Sequence, residues 1–249
     1  MNRIEQHMES LDSRILDKQV LGPTYHERTR ENLRMLLDAG WIKPGERVLE
    51  VGTGDGLMIA LLAEHGIHGT GICKSRSDFE AGKQKGYDIH FSDMSDMPFE
   101  DQTFDLIYTR NAFDHSLMPA ITLSEFRRVL KPYKIMFIEF EWFSTEDVRK
   151  HKEVRHVGHV YKIGGSYNKQ RHWSAMSYDD MRWLAYRLDL KLIDSFFAHE
   201  SQGFVIENTP YMGGGTGNLD EWGRYRHGLE GETAKARRSL LPNFLRSRS

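Results

Sequence analysis

The stretch Val48-Leu49-Glu50-Val51-Gly52-Thr53-Gly54-Asp55-Gly56 constrains this chain more than any other. A short aliphatic run passes into glycines at every second position. Glycine at that density sustains neither a strand nor a helix interior, so the run must end in a turn. The apolar segment behind it, Leu57–Glu64, reads as a helix. A strand, a glycine turn and a helix in that order leave helix N–H groups facing outward. They also remove Cβ atoms where a bulky ligand could lie against bare backbone.

Around this stretch the chain alternates. Arg47–Val51, His68–Cys73, Tyr87–Phe91, Phe104–Thr109 and Lys134–Phe140 read as strands. Leu57–Glu64, Ser77–Lys83 and a helix from Pro119 through Leu130 lie between them, with Pro119 suited to a first helical position. KIMFIEF (134–140) is nearly all apolar, as expected of a strand buried on both faces. Such alternation predicts an α/β, doubly wound, mostly parallel sheet. Ser177-Tyr178-Asp179-Asp180 has the form of a capping box opening a helix to about Leu188. Leu190–Phe197 and Gly203–Asn208 then read as a closing antiparallel pair. Upstream, residues 1–20 carry a helical stripe, and Thr24 can cap a helix running to about Leu37. These helices form an N-terminal cover over 1–40, expected to pack over the ligand end of the sheet or along its edge. Residues 41–210 form the main domain. From 211 to 249 the chain holds seven Lys/Arg against four Asp/Glu; this basic tail is either solvated and mobile or a binding arm.

The formal charge of −2 offers no global case for nucleic acid or membrane binding. Cys73 is the only cysteine, which excludes an intrachain disulfide and a cysteine-based metal cluster. With neither an apolar leader nor an eighteen-residue apolar run, a cytoplasmic location and no membrane association are expected.

The glycine spacing separates two kinds of cofactor. A dinucleotide turn is G-x-G-x-x-G, yet Leu57 stands where its third glycine would fall. VLEVGTGDG instead resembles the first motif of the class I S-adenosylmethionine-dependent methyltransferases, and further matches follow in order. Asp93-Met94 closes the third strand. MPFEDQTFDLIYTRNAFDH (97–115) resembles the family's fourth-strand region, and EFRRVLKP (125–132) its helix and turn before strand five. The resemblance implies a seven-stranded Rossmann-like methyltransferase fold with S-adenosylmethionine as cofactor. It also implies a cofactor site drawn from Glu50, Gly52, Thr53, Gly54, Gly56, Cys73, Lys74, Asp93, Met94 and Asn111. Asp93 and the following N–H would meet the adenine. Two positions depart from the pattern. The family usually ends strand two with an acid that binds both ribose hydroxyls, and that slot holds Cys73. Lys74, Ser75 or Asp78 would have to compensate. Lys131-Pro132-Tyr133-Lys134 also lacks the usual glycine turn.

Methyl transfer is an in-line displacement governed by positioning, and it needs a base only when the acceptor must shed a proton. His115, just beyond the fourth strand, is the first candidate base, or else a residue that caps the loop. His26, beside Tyr25, is the second. Asn111-Ala112-Phe113-Asp114 lacks the Asn/Asp-Pro-Pro-aromatic run of amino-group DNA methylation, and strand four carries no Pro-Cys for cytosine methylation. Nucleic acid is therefore disfavoured and a small-molecule acceptor expected, methylated at oxygen or nitrogen. The inserted segment 143–173 holds seven Lys/Arg against three Asp/Glu, interleaved with aromatics. It reads as a lid for an anionic acceptor or as a solvated loop. His151, His156 and His159 within it suggest a metal, but lack a further ligand, and no metal site is expected. A non-catalytic cofactor-binding protein of the same fold and an RNA-directed methyltransferase stand as alternatives.

Overall fold

The computed structural model describes residues 23–141, 162–163, 166–167, 176–198 and 201–209. The expected helix over 1–20, most of the 143–173 segment and the 211–249 tail lie outside the described residues, as do His151, His156 and His159.

The elements follow in chain order. Helix α1 (Pro23–Asp38) leads to β1 (Arg47–Val51), α2 (Leu57–Glu64), β2 (His68–Cys73), α3 (Arg76–Gln84) and β3 (Ile89–Phe91). Strand β4 (Phe104–Arg110), a 3-10 turn (Phe113–His115), α4 (Pro119–Val129) and β5 (Leu130–Glu141) come next. A two-residue hairpin, β6 (Lys162–Ile163) with β7 (Ser166–Tyr167), precedes α5 (Tyr178–Arg187), β8 (Lys191–Ala198) and β9 (Ser201–Glu207).

Seven strands form the main sheet in the order β3-β2-β1-β4-β5-β9-β8. The first five are parallel, and β9 runs antiparallel to both β5 and β8. Side chains alternate along each strand and feed two cores. Leu49, Val51, Ile107, Met136, Ile138 and Phe204 face α4 and α5 through Leu123, Phe126, Met181 and Ala185. Val48, Leu106, Tyr108, Phe137 and Val205 face α1 and α2 through Leu33, Leu36, Met58 and Leu62. On this second face Tyr108, Phe137 and Phe196 stack across three strands, with centroids 5.5 and 5.6 Å apart. Helices on both faces make the sheet doubly wound, as the alternation predicts.

Boundaries shift where capping chemistry competes. Helix α1 starts at Pro23 rather than after a Thr24 cap. Helix α3 starts at Arg76 because the Ser75 hydroxyl accepts the Asp78 N–H at 3.2 Å. The Ser177 capping box forms as expected, with Asp180 answering the Ser177 N–H at 3.0 Å. Strand β5 begins at Leu130, directly at the end of α4, rather than at Lys134. A register break against β4 absorbs the join, and Tyr133 takes φ 61° there. That is the turn where the resemblance calls for glycine, and the exposed tyrosine accepts the left-handed backbone in its place.

A cluster of polar contacts around Glu139 ties α1 to the sheet. Glu139 interrupts the apolar run of β5 and is 2% exposed. Arg28 Nε donates to its Oε1 at 3.1 Å, and Asn32 donates to its Oε2 at 2.8 Å. Asn32 also bonds the Tyr108 hydroxyl at 3.1 Å. Burial opposes the charge on Arg28, but Glu139 and Glu31 together outweigh it and hold the guanidinium above its ordinary range. Removing one partner of a buried pair leaves the other charge stranded, at about 3–5 kcal/mol. Glu139→Leu is expected to lower the unfolding free energy in urea by about 3 kcal/mol. Asp101→Asn, which breaks the solvent-exposed pair with Arg128, is expected to cost less than about 0.5 kcal/mol in the same assay.

Candidate cofactor and active site

Because β1 to β5 are parallel, their C-terminal ends share one edge of the sheet. The glycine turn after β1, Cys73 and Lys74 at the end of β2, Asp93 and Met94 after β3, and Asn111 to His115 after β4 all lie there. Open α/β sheets bind ligands along this edge.

The turn is held flat against β2. Gly52 and Thr53 both donate their N–H to the Ile72 carbonyl, at 3.0 and 3.2 Å, and the Thr53 hydroxyl donates to it at 3.0 Å. Gly52, Gly54 and Gly56 all have positive φ, at 80°, 52° and 78°. A Cβ on Gly52 would stand 2.4 Å from the Ala112 methyl, and one on Gly71 of β2 would stand 2.4 Å from Thr53 Oγ1. The glycines therefore do two jobs: they reverse the chain, and they let the turn touch β2 and the end of β4. Asp55 finishes the turn by accepting the Leu57 N–H at 3.1 Å, an anion at the start of α2.

Helix α1 reaches this end of the sheet through two of its residues, Tyr25 and His26. His26 Nε2 lies 2.7 Å from Asp55 Oδ2. Tyr25 lies under Arg110, whose guanidinium carbon is 3.6 Å from the ring centroid, and the Tyr25 carbonyl accepts from Arg110 Nη2 at 3.0 Å. His26 thus serves the glycine turn, whereas His115 closes the 3-10 turn after β4 and is half-buried. The two candidate bases sit on different elements of the same edge.

Glu50 is 5% exposed, and its Oε2 has no hydrogen-bond partner. Burial, reinforced by Asp55 and opposed by Arg110, holds its carboxyl well above the usual carboxylate range. Asp93 shows the opposite balance. Burial alone would raise it, but the ion pair with Lys74 and the Ser95 hydroxyl and N–H pull it below its ordinary value. The Lys74–Asp93 pair links the ends of β2 and β3. Met94 packs its side chain against the core beside them. Asn111 adopts φ 51° and donates its N–H to the Glu139 carbonyl at 2.8 Å.

Cys73 occupies the slot where an acid was expected, on the same face of β2 as Gly71. It packs with Ile59 and Ile89, 6% exposed, and its thiol points at the Ser75 carbonyl, 3.6 Å away. Burial first, then Asp78 and Glu50, push the thiol up to about 12 from 9.0. Sequence reasoning passed over Arg110, which is 5% exposed and meets α1 at the centre of this edge. An arginine closing a fully buried strand, on the face of Leu106 and Tyr108, was the available signal. Among the described residues no group of His, Cys, Asp and Glu could hold a metal, and no helix is long and apolar enough to cross a membrane. A cavity of about 610 Å³ beside Ile59, Ala63, His68 and Asp88 shares no residue with the glycine turn.

The reactive form of a thiol is the thiolate, so a pKa near 12 leaves Cys73 inert at neutral pH. Iodoacetamide at pH 8 is expected to label it roughly a thousandfold more slowly in the native protein than in urea. Similar rates would show the side chain to be open.

Comparison with known proteins agrees with this geometry. A family model described as a methyltransferase domain matches residues 49–138. The 24-methylenesterol C-methyltransferase 3 of Arabidopsis thaliana is 31% identical over 148 residues, which cover 54% of this chain and 41% of that one. The demethylmenaquinone methyltransferase of Renibacterium salmoninarum is 32% identical over 116 residues, 45% of this chain and 49% of that one. The chain thus spans less than half the length of these relatives. Among solved structures, a SAM dependent methyltransferase from Aquifex aeolicus aligns over 78% of this chain and 96% of its own, with a TM-score of 0.56 and 17% identity. The [4+2]-cyclase SpnF aligns over 74% of this chain and 81% of its own, with a TM-score of 0.55 and 14% identity. The fold therefore fixes a frame that serves more than one reaction, and the sequence match adds that residues 49–138 are similar to a methyltransferase domain.

Proposed function

We propose that the chain transfers a methyl group from S-adenosylmethionine to oxygen or nitrogen of a small, anionic acceptor. The observation that carries the reading is the Gly52–Gly56 turn, whose missing Cβ atoms and packing on β2 leave bare backbone at the ligand edge. That cradle fits the cofactor, and the buried Glu50 with its free Oε2 fits a cationic group on it. Bound there, the cofactor would supply an electrophilic methyl on a sulfonium.

This chain's residues would orient and shield. Gly52 and Gly54 give room, while Met94 and the Asp93 segment would border the adenine. Lys74, engaged with Asp93, would stand beside the ribose, where Cys73 contributes an apolar wall rather than a charged acceptor. Asn111, with its left-handed backbone, would face the same space. His115, half-buried beyond β4, would take the proton an attacking hydroxyl or amine gives up. His26 is engaged with Asp55, which suits it to closing α1 over the turn rather than to that base role. The cationic 143–173 segment, placed by the sequence between β5 and α5, supports an anionic acceptor.

A second reading rests on a different observation. Leu117, Met118 and Ile121 are 46%, 52% and 47% exposed just beyond His115. An apolar rim of this kind suits an apolar acceptor methylated at carbon, the class named by the sterol C-methyltransferase relative. Transfer of radiolabelled methyl to a panel of phosphorylated, carboxylated and polycyclic apolar acceptors separates the two readings. Calorimetry is expected to show S-adenosylmethionine binding, and Gly52→Ala is expected to weaken it at least tenfold through the Ala112 contact and the positive φ. No binding at millimolar cofactor would refute the assignment. With a turned-over oxygen or nitrogen acceptor, His115→Ala is expected to lower kcat by about a hundredfold and leave cofactor affinity unchanged.

A further inference from the structure

Helix α5 holds a tryptophan in water. Its inner side is buried through Met181 and Ala185, with Tyr178, Leu184 and Leu188 packed partly against the same core. Its outer side carries Trp183, 54% exposed, and Tyr186, 39% exposed, their ring centroids 6.1 Å apart. Side chains of that size forfeit much of their burial energy when left in solvent. The ligand edge does not account for them. Helix α5 leads into β8, which runs parallel to β5, so the helix runs away from that edge. Trp183 lies six residues beyond the Ser177 cap, about 9 Å down the axis. Strand β8 is also the outermost of the sheet, four strand spacings or about 19 Å from β1 and its glycine turn.

Charge decides what fits this face. Asp179 stands exposed in the first turn of α5 and Arg187 exposed in the last, its guanidinium carbon 5.5 Å from the Trp183 ring centroid. The three follow at i, i+4 and i+8 with Trp183 midway, so they share one stripe. Turning the helix end for end about Trp183 exchanges the places of the acid and the base. We propose that two copies of the chain meet on this stripe, α5 against α5, antiparallel about a two-fold axis through Trp183. Each Asp179 then faces the partner's Arg187, so that two ion pairs flank the two indoles and the helix dipoles oppose. A parallel pairing would set like charges against each other. The acid and the base also answer the dipole of their own helix, but that role does not call for an exposed indole between them. A ten-residue helix offers a face only about 15 Å long, which falls short of the area, about 800 Å² per partner, of a standard interface. The dimer is therefore weak, with a dissociation constant on the order of tens of micromolar. It leaves the ligand edge open and is independent of the cofactor reading.

Analytical ultracentrifugation of the full chain, from about 1 µM to about 300 µM, tests the pairing. The wild type is expected to pass from monomer to dimer across this range. Trp183→Ser should weaken self-association at least tenfold. Asp179→Arg and Arg187→Asp should each do the same, because like charges then face across the axis. An equimolar mixture of the two charge-reversed proteins should recover the wild-type affinity, since every facing pair in the mixed dimer is of opposite sign. All three side chains sit on the outer side of α5, and a melting curve for each protein confirms that it is folded. A wild type that stays monomeric throughout overturns the proposal, and Trp183 then awaits a different macromolecule. A dimer whose affinity stays within threefold in all three variants also overturns it, because the contact then lies on another surface. Charge-reversed proteins that fail to pair when mixed overturn the antiparallel register even where Trp183→Ser weakens the dimer.

Discussion

The contact between the glycine turn and β2 is the constraint from which the ligand edge follows. Three donors, two from the backbone and one from Thr53, converge on the single carbonyl of Ile72. This is possible only because Gly71 offers no Cβ to Thr53 and Gly52 none to Ala112. The turn is thereby fixed from both sides, by β2 on one flank and by the end of β4 on the other. A ligand lying on it meets backbone whose position is set before binding, so little ordering remains to be done.

The charges around the turn have a consistent sense. Glu50, Asp55 and Asp78 gather carboxyl groups near the ends of β1 and β2, and burial, reinforced by Asp78 and Glu50, pushes the Cys73 thiol up. Arg110 and Lys74 stand against them, the first stacked on Tyr25 and the second paired with Asp93. A sulfonium is favoured in such surroundings over a neutral sulfide.

Much of this was legible in the sequence, for definite reasons. Strand β1 and helix α2 match the expected residues end to end, because an aliphatic run bounded by glycine leaves little freedom about where the run stops. The closing antiparallel pair and the Ser177 cap were legible for similar local reasons. Glu139 was hidden because KIMFIEF looks like an uninterrupted core strand, and the partner that makes an acid tolerable there sits on α1, 111 residues away. Arg110 was hidden for the same reason, since its seat is the ring of Tyr25. Tyr133 violates a local preference at a turn that is set by the junction of α4 and β5. Long-range pairing, which no local pattern encodes, accounts for each of these misses.

Glu139 has a consequence for assembly of the sheet. Side chains on a strand alternate between faces, so a slip of β5 by one residue would turn this carboxylate towards α4 and α5. Arg28 and Asn32 would then face Ile138 or Phe140, with nothing to accept their hydrogen bonds. Apolar packing alone tolerates such a slip poorly but not absolutely, since neighbouring positions of β5 are aliphatic or aromatic on both sides. The buried acid works as a key for strand register, accepted by α1 in only one alignment.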